Sequence, residues 1–237
     1  MKTRQIDKKF LLGILFALIM VGVCWASVSS ASADECGFEG TSIRVYVEWE
    51  GFWGFGPYRA FIWNAEGLKK IKKPSPPEHP NSGTNVYGER ADKRALHLPQ
   101  ELFRPDRHLN VPFALSLDGR MVVSAVYDKD DFFSPSKEFA VIDLKAKRLV
   151  HLVKTDYYIE SVTWSPTGRY FAVLFRENVT KQLWKGPLDL FAGLVGHPRS
   201  YYTVHVMIYT LDGKVACRRI IMEKLLTGDG YIDWGYF

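Results

Sequence analysis

Three carboxylates stand close together in one stretch of the chain, where Asp128, Asp130 and Asp131 surround a single lysine. Carboxylate oxygens are hard ligands of the kind that Ca²⁺ prefers. The spacing and the central glycine of an EF-hand loop are absent, however. We therefore interpret this segment as a solvated turn, and it predicts no metal ligand.

Histidines are the other residues with metal-binding or acid–base chemistry. No two of them have the spacing of a zinc site, and no serine lies in a G-x-S-x-G elbow. Glycine-rich phosphate and dinucleotide fingerprints are also absent. The sequence thus predicts no catalytic residue, metal or cofactor, although a site built from dispersed acidic and histidine residues stays open. The histidines are His79, His97, His108, His151, His197 and His205.

The first 33 residues have the layout of a secretory signal peptide. Four basic residues and one acidic residue lie at the start, an apolar run covers residues 10–28, and Ala31 and Ala33 precede Asp34. This order predicts cleavage after Ala33 and a periplasmic or secreted protein. The apolar run also has about the 20 residues of a membrane-spanning helix, so an uncleaved anchor at residues 10–28 is the alternative. Membrane contact is expected only in that case.

Cysteine usage agrees with export. Of the three cysteines, Cys24 lies in the signal segment, which leaves Cys36 and Cys217. An even count in an oxidising compartment predicts one disulfide between them. The alternative is a buried, reduced Cys217 and a free Cys36.

Composition is that of a globular protein. The 237 residues are 47% hydrophobic and 24% charged, and the high aromatic content of 14% favours β-structure. Loss of residues 1–33 removes four basic residues and one acidic residue and lowers the formal net charge from +5 to +2. The only dense basic run, between Lys69 and Lys73, adjoins a proline-rich stretch, and no basic face indicates nucleic-acid binding.

A sequence repeat organises the second half of the chain. Residues 115–123 and 164–172 match at an offset of 49. Each copy has an apolar strand, a turn that ends in Gly-Arg, and a second apolar strand. Glycine suits such a turn because it adopts positive φ without steric cost.

The second copy resembles the opening of a WD40-like, TolB-type β-propeller blade, whose usual turn is Trp-Ser-Pro-Asp-Gly. Thr167 replaces the usual Asp, and Leu117 replaces the usual Pro in the first copy. The resemblance covers about half of the expected mature chain. It implies a protein-interaction or ligand-binding role and transfers no catalytic residue. The residues that carry it are Val162-Thr163-Trp164-Ser165-Pro166-Thr167-Gly168-Arg169-Tyr170-Phe171-Ala172-Val173.

Each copy continues into a second hairpin. Residues 139–144 and 148–153 flank a Lys-Ala-Lys turn, and residues 204–211 and 215–222 flank an Asp-Gly-Lys turn. Asp-Gly between apolar runs is a strong hairpin signal. Each unit is therefore predicted to be four consecutive antiparallel strands, as in one propeller blade.

The number of units is too small for a closed ring, which needs about 4–8 blades. Residues 42–50, 58–64 and 67–71 indicate a third unit, and residues 231–234 resemble the opening strand of another that stops at Phe237. The predicted fold is mainly β, with repeated four-stranded antiparallel propeller-like units in an incomplete propeller or an open sheet assembly.

Two aromatic segments are candidate binding surfaces. Trp53 and Phe55 lie in a glycine-rich stretch, and Trp184 and Phe191 lie in an apolar insertion at residues 177–200. Such residues anchor partners when they are exposed, and pack into the core when they are not.

These observations divide the chain into a signal peptide (1–33), an N-terminal β segment (34–71), a proline-rich irregular connection (72–110) and a repeat region (111–237). We expect an exported, non-catalytic binding or scaffold protein of the cell envelope, whose loops contact an envelope protein or glycan. The alternative is an envelope-polymer hydrolase.

Overall fold

The structure, a computed structural model, describes residues 36–47, 50–51, 54–55, 59–72, 85–86, 99–128, 136–180, 200–226 and 230–236. The signal segment lies outside these residues. Within them, no helix is long and apolar enough to cross a membrane.

Strands account for almost all the regular structure of the described residues, and one short 3₁₀ turn covers Gln100–Leu102. The strands are β1 (Ser42–Val47), β2 (Glu50–Gly51), β3 (Gly54–Phe55), β4 (Arg59–Asn64), β5 (Gly67–Ile71), β6 (Asn85–Val86), β7 (Arg107–Leu115), β8 (Met121–Asp128), β9 (Glu138–Asp143), β10 (Arg148–Lys154), β11 (Tyr158–Trp164), β12 (Tyr170–Asn178), β13 (Tyr201–Thr210), β14 (Val215–Leu226) and β15 (Gly230–Gly235).

Three antiparallel sheets form the framework, which confirms the predicted mainly β class. The first sheet has the order β15-β1-β4-β5, the second β10-β9-β8-β7-β6, and the third β11-β12-β13-β14. In the second and third sheets, consecutive strands are neighbours, as in a propeller blade. The two hairpins predicted in each repeat are present. In the first repeat β7 pairs with β8 and β9 with β10, and in the second β11 pairs with β12 and β13 with β14.

The C-terminal strand completes the first sheet. β15 pairs with β1 over six residue pairs, from Ser42 opposite Gly235 to Val47 opposite Gly230. It therefore does not open a further unit, as the sequence suggested, but supplies the fourth strand that the N-terminal segment lacks. Strands near both ends of the described chain thus belong to one blade-like sheet.

Strand β11 lies between the other two sheets. Its Trp164 donates a hydrogen bond from Nε1 to the carbonyl oxygen of Ala114 on β7, at 2.9 Å. On the other side, Ser161 accepts a hydrogen bond from the backbone N–H of Ile232 on β15, at 3.2 Å. The three sheets therefore follow one another around β11 as an open series of blades rather than a closed ring.

Two apolar cores fill the spaces on either side of the third sheet. Phe139 of the second sheet packs among Phe171, Phe175 and Tyr209, with ring centroids 5.2–6.4 Å apart. The core on the other side joins the first and third sheets. Both faces of the middle strands β12 and β13 are buried, which explains why these strands are near-continuous apolar runs.

The repeated turn has the same hydrogen bonds in both copies. Ser116 bonds to Met121, and Ser165 to Tyr170, through both the backbone and the hydroxyl group. The glycine that follows has a φ of 68° in one copy and 69° in the other, as the turn requires.

Thr167, which replaces the usual aspartate, makes the same kind of contact as Asp118 in the first copy. Ser116 Oγ donates to Asp118 Oδ1 at 2.6 Å, and Ser165 Oγ lies 3.2 Å from Thr167 Oγ1. A threonine therefore takes the place of the aspartate in this turn without changing its backbone hydrogen bonds.

The predicted disulfide is present. Cys36 and Cys217 are bonded, with a Cα–Cα distance of 5.3 Å, and both are buried in the core between the first and third sheets. Beside it, a Cβ on Gly37 would come within 2.4 Å of the Tyr170 ring, so only glycine fits there. The N-terminal segment is thus held against the third sheet.

Replacement of Trp164 by Ala is expected to lower the free energy of unfolding by about 3–5 kcal/mol, because the side chain is only 1% exposed and its loss leaves a cavity. Trp164→Phe keeps most of the packing but leaves the Ala114 carbonyl without its donor, which should cost about 1–3 kcal/mol. Urea denaturation measures both losses. The exposed control Leu117→Ala should stay within about 0.5 kcal/mol of the wild type, and an equal loss in Trp164→Ala and Leu117→Ala would contradict this account.

Replacement of Cys36 and Cys217 together by Ser should cost about 3–5 kcal/mol, because the disulfide closes a loop with a sequence separation of 181 residues. Urea denaturation with and without reductant tests this expectation. The double variant should be insensitive to reductant, whereas the wild type should lose stability. Two free thiols in non-reducing peptide maps of the native protein would show the prediction to be wrong.

Candidate binding cleft

A cleft of about 610 Å³ opens between the second and third sheets, at the end where the repeated turns lie. The turn before β8 and the start of β10 form one wall. The turn before β12 and the first residue of the β13–β14 turn form the other. The lining residues are Ser116, Leu117, Asp118, Arg120, Met121, Asp143, Arg148, Val150, Pro166, Thr167, Gly168 and Leu211.

An ion pair lies in one wall of the cleft. Arg120 donates to Asp143 Oδ2 from Nε at 3.2 Å and from Nη2 at 2.9 Å. The other oxygen of this buried carboxylate accepts the backbone N–H of Ala146 at 2.9 Å. These bonds hold the pKa of Asp143 below its usual value, with Arg120 as the main cause.

The second carboxylate in the cleft is also stabilised in its charged form. Asp118 accepts hydrogen bonds from Ser116 Oγ and from the backbone N–H of Arg120 on Oδ1. The Ser116 hydroxyl is the main cause of the lowered pKa of Asp118. A general acid works best with a pKa near the operating pH. The two carboxylates are therefore suited to recognition rather than to proton donation.

The cleft also presents a cation and exposed apolar groups. The side chain of Arg148 makes no hydrogen bond or salt bridge with a described residue, and its positive charge helps to lower the pKa of Asp143. Leu117 is 75% exposed on one rim, and Leu211 is 38% exposed on the other. Leucines exposed to this extent beside a cleft are typical of binding surfaces.

A buried histidine cluster lies elsewhere in the third sheet. His205 Nε2 is 2.9 Å from Glu177 Oε2, and the guanidinium of Arg218 is 3.1 Å from Nδ1. Because an arginine can only donate, Nδ1 must be the acceptor and Nε2 must carry the proton of a neutral imidazole. Burial is the main cause that lowers the pKa of His205, and Glu177 opposes it. Glu177 follows the repeated turn by nine residues of chain, so the cluster lies about 20 Å or more from the cleft along β12.

The other residues that the sequence singled out do not meet at this cleft. His108 stacks on Tyr127 with ring centroids 5.7 Å apart, and His151 lies on β10. Asp128 accepts a hydrogen bond from Arg107 at 3.3 Å. Among the described residues, no group of three His, Cys, Asp or Glu side chains could hold a metal ion.

The predicted aromatic surface cannot be placed. Trp53, Trp184 and Phe191 lie outside the described residues, and for Phe55 only the backbone is described, in the short β2–β3 pair. The other three histidines and most of the proline-rich connection also lie outside them.

The residue pattern does not predict the cleft, because the repeated turns are explained by the strands that they connect. One signal was present: both repeats end their turn in Gly-Arg. The two arginines have different partners, since Arg120 bonds to Asp143 in its own sheet, whereas Arg169 pairs with Glu39 of the N-terminal segment. An arginine whose partner is not dictated by the repeat is a candidate for a specific role.

The stability of the protein should depend on the protonation of His205. Its pKa in the folded state lies below the ordinary value of 6.5, so the unfolded chain binds the proton first as the pH falls. The neutral His205 side chain therefore makes its full contribution to the free energy of unfolding above pH 6.5, and this contribution is lost as the pH falls below that value. Denaturant unfolding across this range should show a smaller loss in His205→Gln, which cannot be protonated, than in the wild type. His151→Gln is the control, and parallel curves for the wild type and His205→Gln would contradict the assignment.

Comparison with known proteins shows only distant structural likeness. No protein-family model matches the chain, and no curated protein matches it. Among solved structures, hydrazine synthase of Kuenenia stuttgartiensis is 16% identical with a TM-score of 0.33, over 69% of this chain and 48% of that one. The β-propeller domain of Cps50 (Swd1) of Myceliophteria thermophila is 10% identical with a TM-score of 0.23, over 68% and 56%. The chain thus spans about half the length of these solved proteins.

Proposed function

We propose that this chain is an exported, non-catalytic binding or scaffold protein of the cell envelope, and that it holds a partner at the cleft between its second and third sheets. The observation that carries the proposal is the cleft itself: two sheets present equivalent turns on facing walls, with exposed leucines on both rims. The TolB-type resemblance of the turns belongs to the same proposal, because it implies a binding role.

The disulfide supports the compartment. Structural disulfides persist in oxidising compartments and are rare in the cytosol. Cys36 lies three residues beyond the proposed cleavage site, and its bond to Cys217 attaches the new N-terminus to the third sheet. An exported chain would therefore begin close to a residue that is covalently secured.

The chemistry of the cleft favours binding over hydrolysis. A hydrolase that acts through a carboxylate or histidine pair needs proton-transfer groups on opposite sides of one bond. Here Asp118 and Asp143 are held in the charged form, and the described histidines line other parts of the molecule. The polar groups that the cleft does offer can orient a ligand without transferring its protons.

The proposal is tested by photo-crosslinking in the native host, with benzoylphenylalanine in place of Leu117. We expect a light-dependent adduct of discrete mass, because position 117 lies on the rim of the cleft. Tyr236 is the matched control, since it is 72% exposed but does not line the cleft, and it should give no such adduct. The mass of the unlinked chain from the envelope fraction should correspond to a start at Asp34.

Two outcomes would contradict the proposal. Equal adducts at positions 117 and 236 would show that the cleft confers no specificity. A cytosolic chain that retains Met1 would show that the protein is not exported, whereas retention of residues 1–33 in the membrane fraction would favour the anchored alternative.

A further inference from the structure

The acceptors of the cleft are largely occupied by the protein itself. Both oxygens of Asp143 are bonded, to Arg120 and to the backbone N–H of Ala146. Asp118 uses Oδ1 for two hydrogen bonds within its own turn, which leaves Oδ2. The cleft has two aspartates and two arginines, so its formal charges balance. Most of the negative charge is already compensated by hydrogen bonds within the protein.

The donors, in contrast, are in surplus. A guanidinium has five N–H donors, and Arg120 uses only Nε and Nη2 on Asp143. The guanidinium of Arg148 donates to no described residue. Both arginines are exposed, and their remaining donors suit a ligand that brings acceptors, since a planar guanidinium matches a carboxylate in a bidentate pair.

The rims add a second requirement. Leu117 and Leu211 are exposed on opposite walls, and Pro166 also lines the cleft. These side chains favour apolar groups on either side of the anionic group. Among the described residues that line the cleft none is aromatic, so these residues offer no flat surface on which a sugar ring could stack.

We propose that the cleft binds an extended peptide segment of a partner protein, in which a carboxylate side chain pairs with Arg148 and flanking apolar side chains contact Leu117 and Leu211. This inference rests on the proposed function and names the chemistry of the partner. A peptide with acidic and apolar side chains fits better than a glycan, because the cleft has free guanidinium donors and exposed leucines side by side.

The test is an NMR titration of the full mature chain at low salt with capped tripeptides. Leu-Asp-Leu should bind and shift the Leu117 and Arg148 resonances, and Leu-Asn-Leu should bind about tenfold more weakly, because it loses a charge-assisted bidentate pair. In Arg148→Gln, the Asp and Asn probes should bind equally. Leu117→Ser should weaken both probes to the same extent.

Matched variants on β14 keep the test specific. Arg219→Gln and Ile220→Ser change exposed residues outside the cleft, and they should leave both affinities within about twofold, as expected for distant sites. An undiminished preference for the Asp probe in Arg148→Gln would overturn the assignment. Tighter binding of Leu-Lys-Leu would show that Asp118 Oδ2 dominates instead, and equal competition by a uronic-acid trisaccharide would show that the site takes an anionic glycan.

Failure of this inference is distinguishable from failure of the proposed function. If no tripeptide binds but position 117 still forms a specific adduct in cells, the peptide chemistry is wrong and the binding role stands. If neither occurs, both are wrong.

Discussion

The pairing of β1 with β15 is the constraint on which the rest of the structure depends. Six residue pairs join strands from the two ends of the folded region, and Trp234 Nε1 donates to Thr41 Oγ1 at 2.7 Å beside them. Without β15, the first sheet would lose the strand through which Ile232 bonds to Ser161 of the third sheet. The disulfide reinforces the same closure, because Cys36 precedes β1 and bonds to β14.

That closure explains how three sheets can form a stable assembly without a complete ring. The two middle strands of the third sheet, β12 and β13, are buried over most of their length, with an apolar core on each face. Several buried polar groups of this sheet are hydrogen-bonded: Trp164 to Ala114, and His205 to Glu177 and Arg218. Each such bond also sets the position of one sheet relative to another or of one strand within the sheet.

The cleft is a consequence of this packing rather than an addition to it. Trp164, the last residue of β11, bonds to Ala114 near the end of β7. This bond places the two repeated turns, which follow β7 and β11, side by side at one end of the second and third sheets. Their side chains then face each other across the sheet boundary. Turn residues that stabilise the strands, such as Ser116 and Asp118, thereby also form the walls of the candidate site.

Local residue patterns determined the class of the strands, the two repeated turns and the Cys36–Cys217 pair, because apolar runs, turn glycines and cysteine count are properties of short segments or of composition. They could not show that residues 231–234 complete the first sheet, since strand pairing across the whole chain depends on which edge is left open after the other strands have packed. They also could not show the cleft: Arg120 and Arg169 occupy the same place in the repeat, and only the packed neighbours decide that one bonds to Asp143 and the other to Glu39. Tertiary structure decided the site because a cleft is formed by side chains that are distant in sequence, and sequence spacing carries no information about that distance.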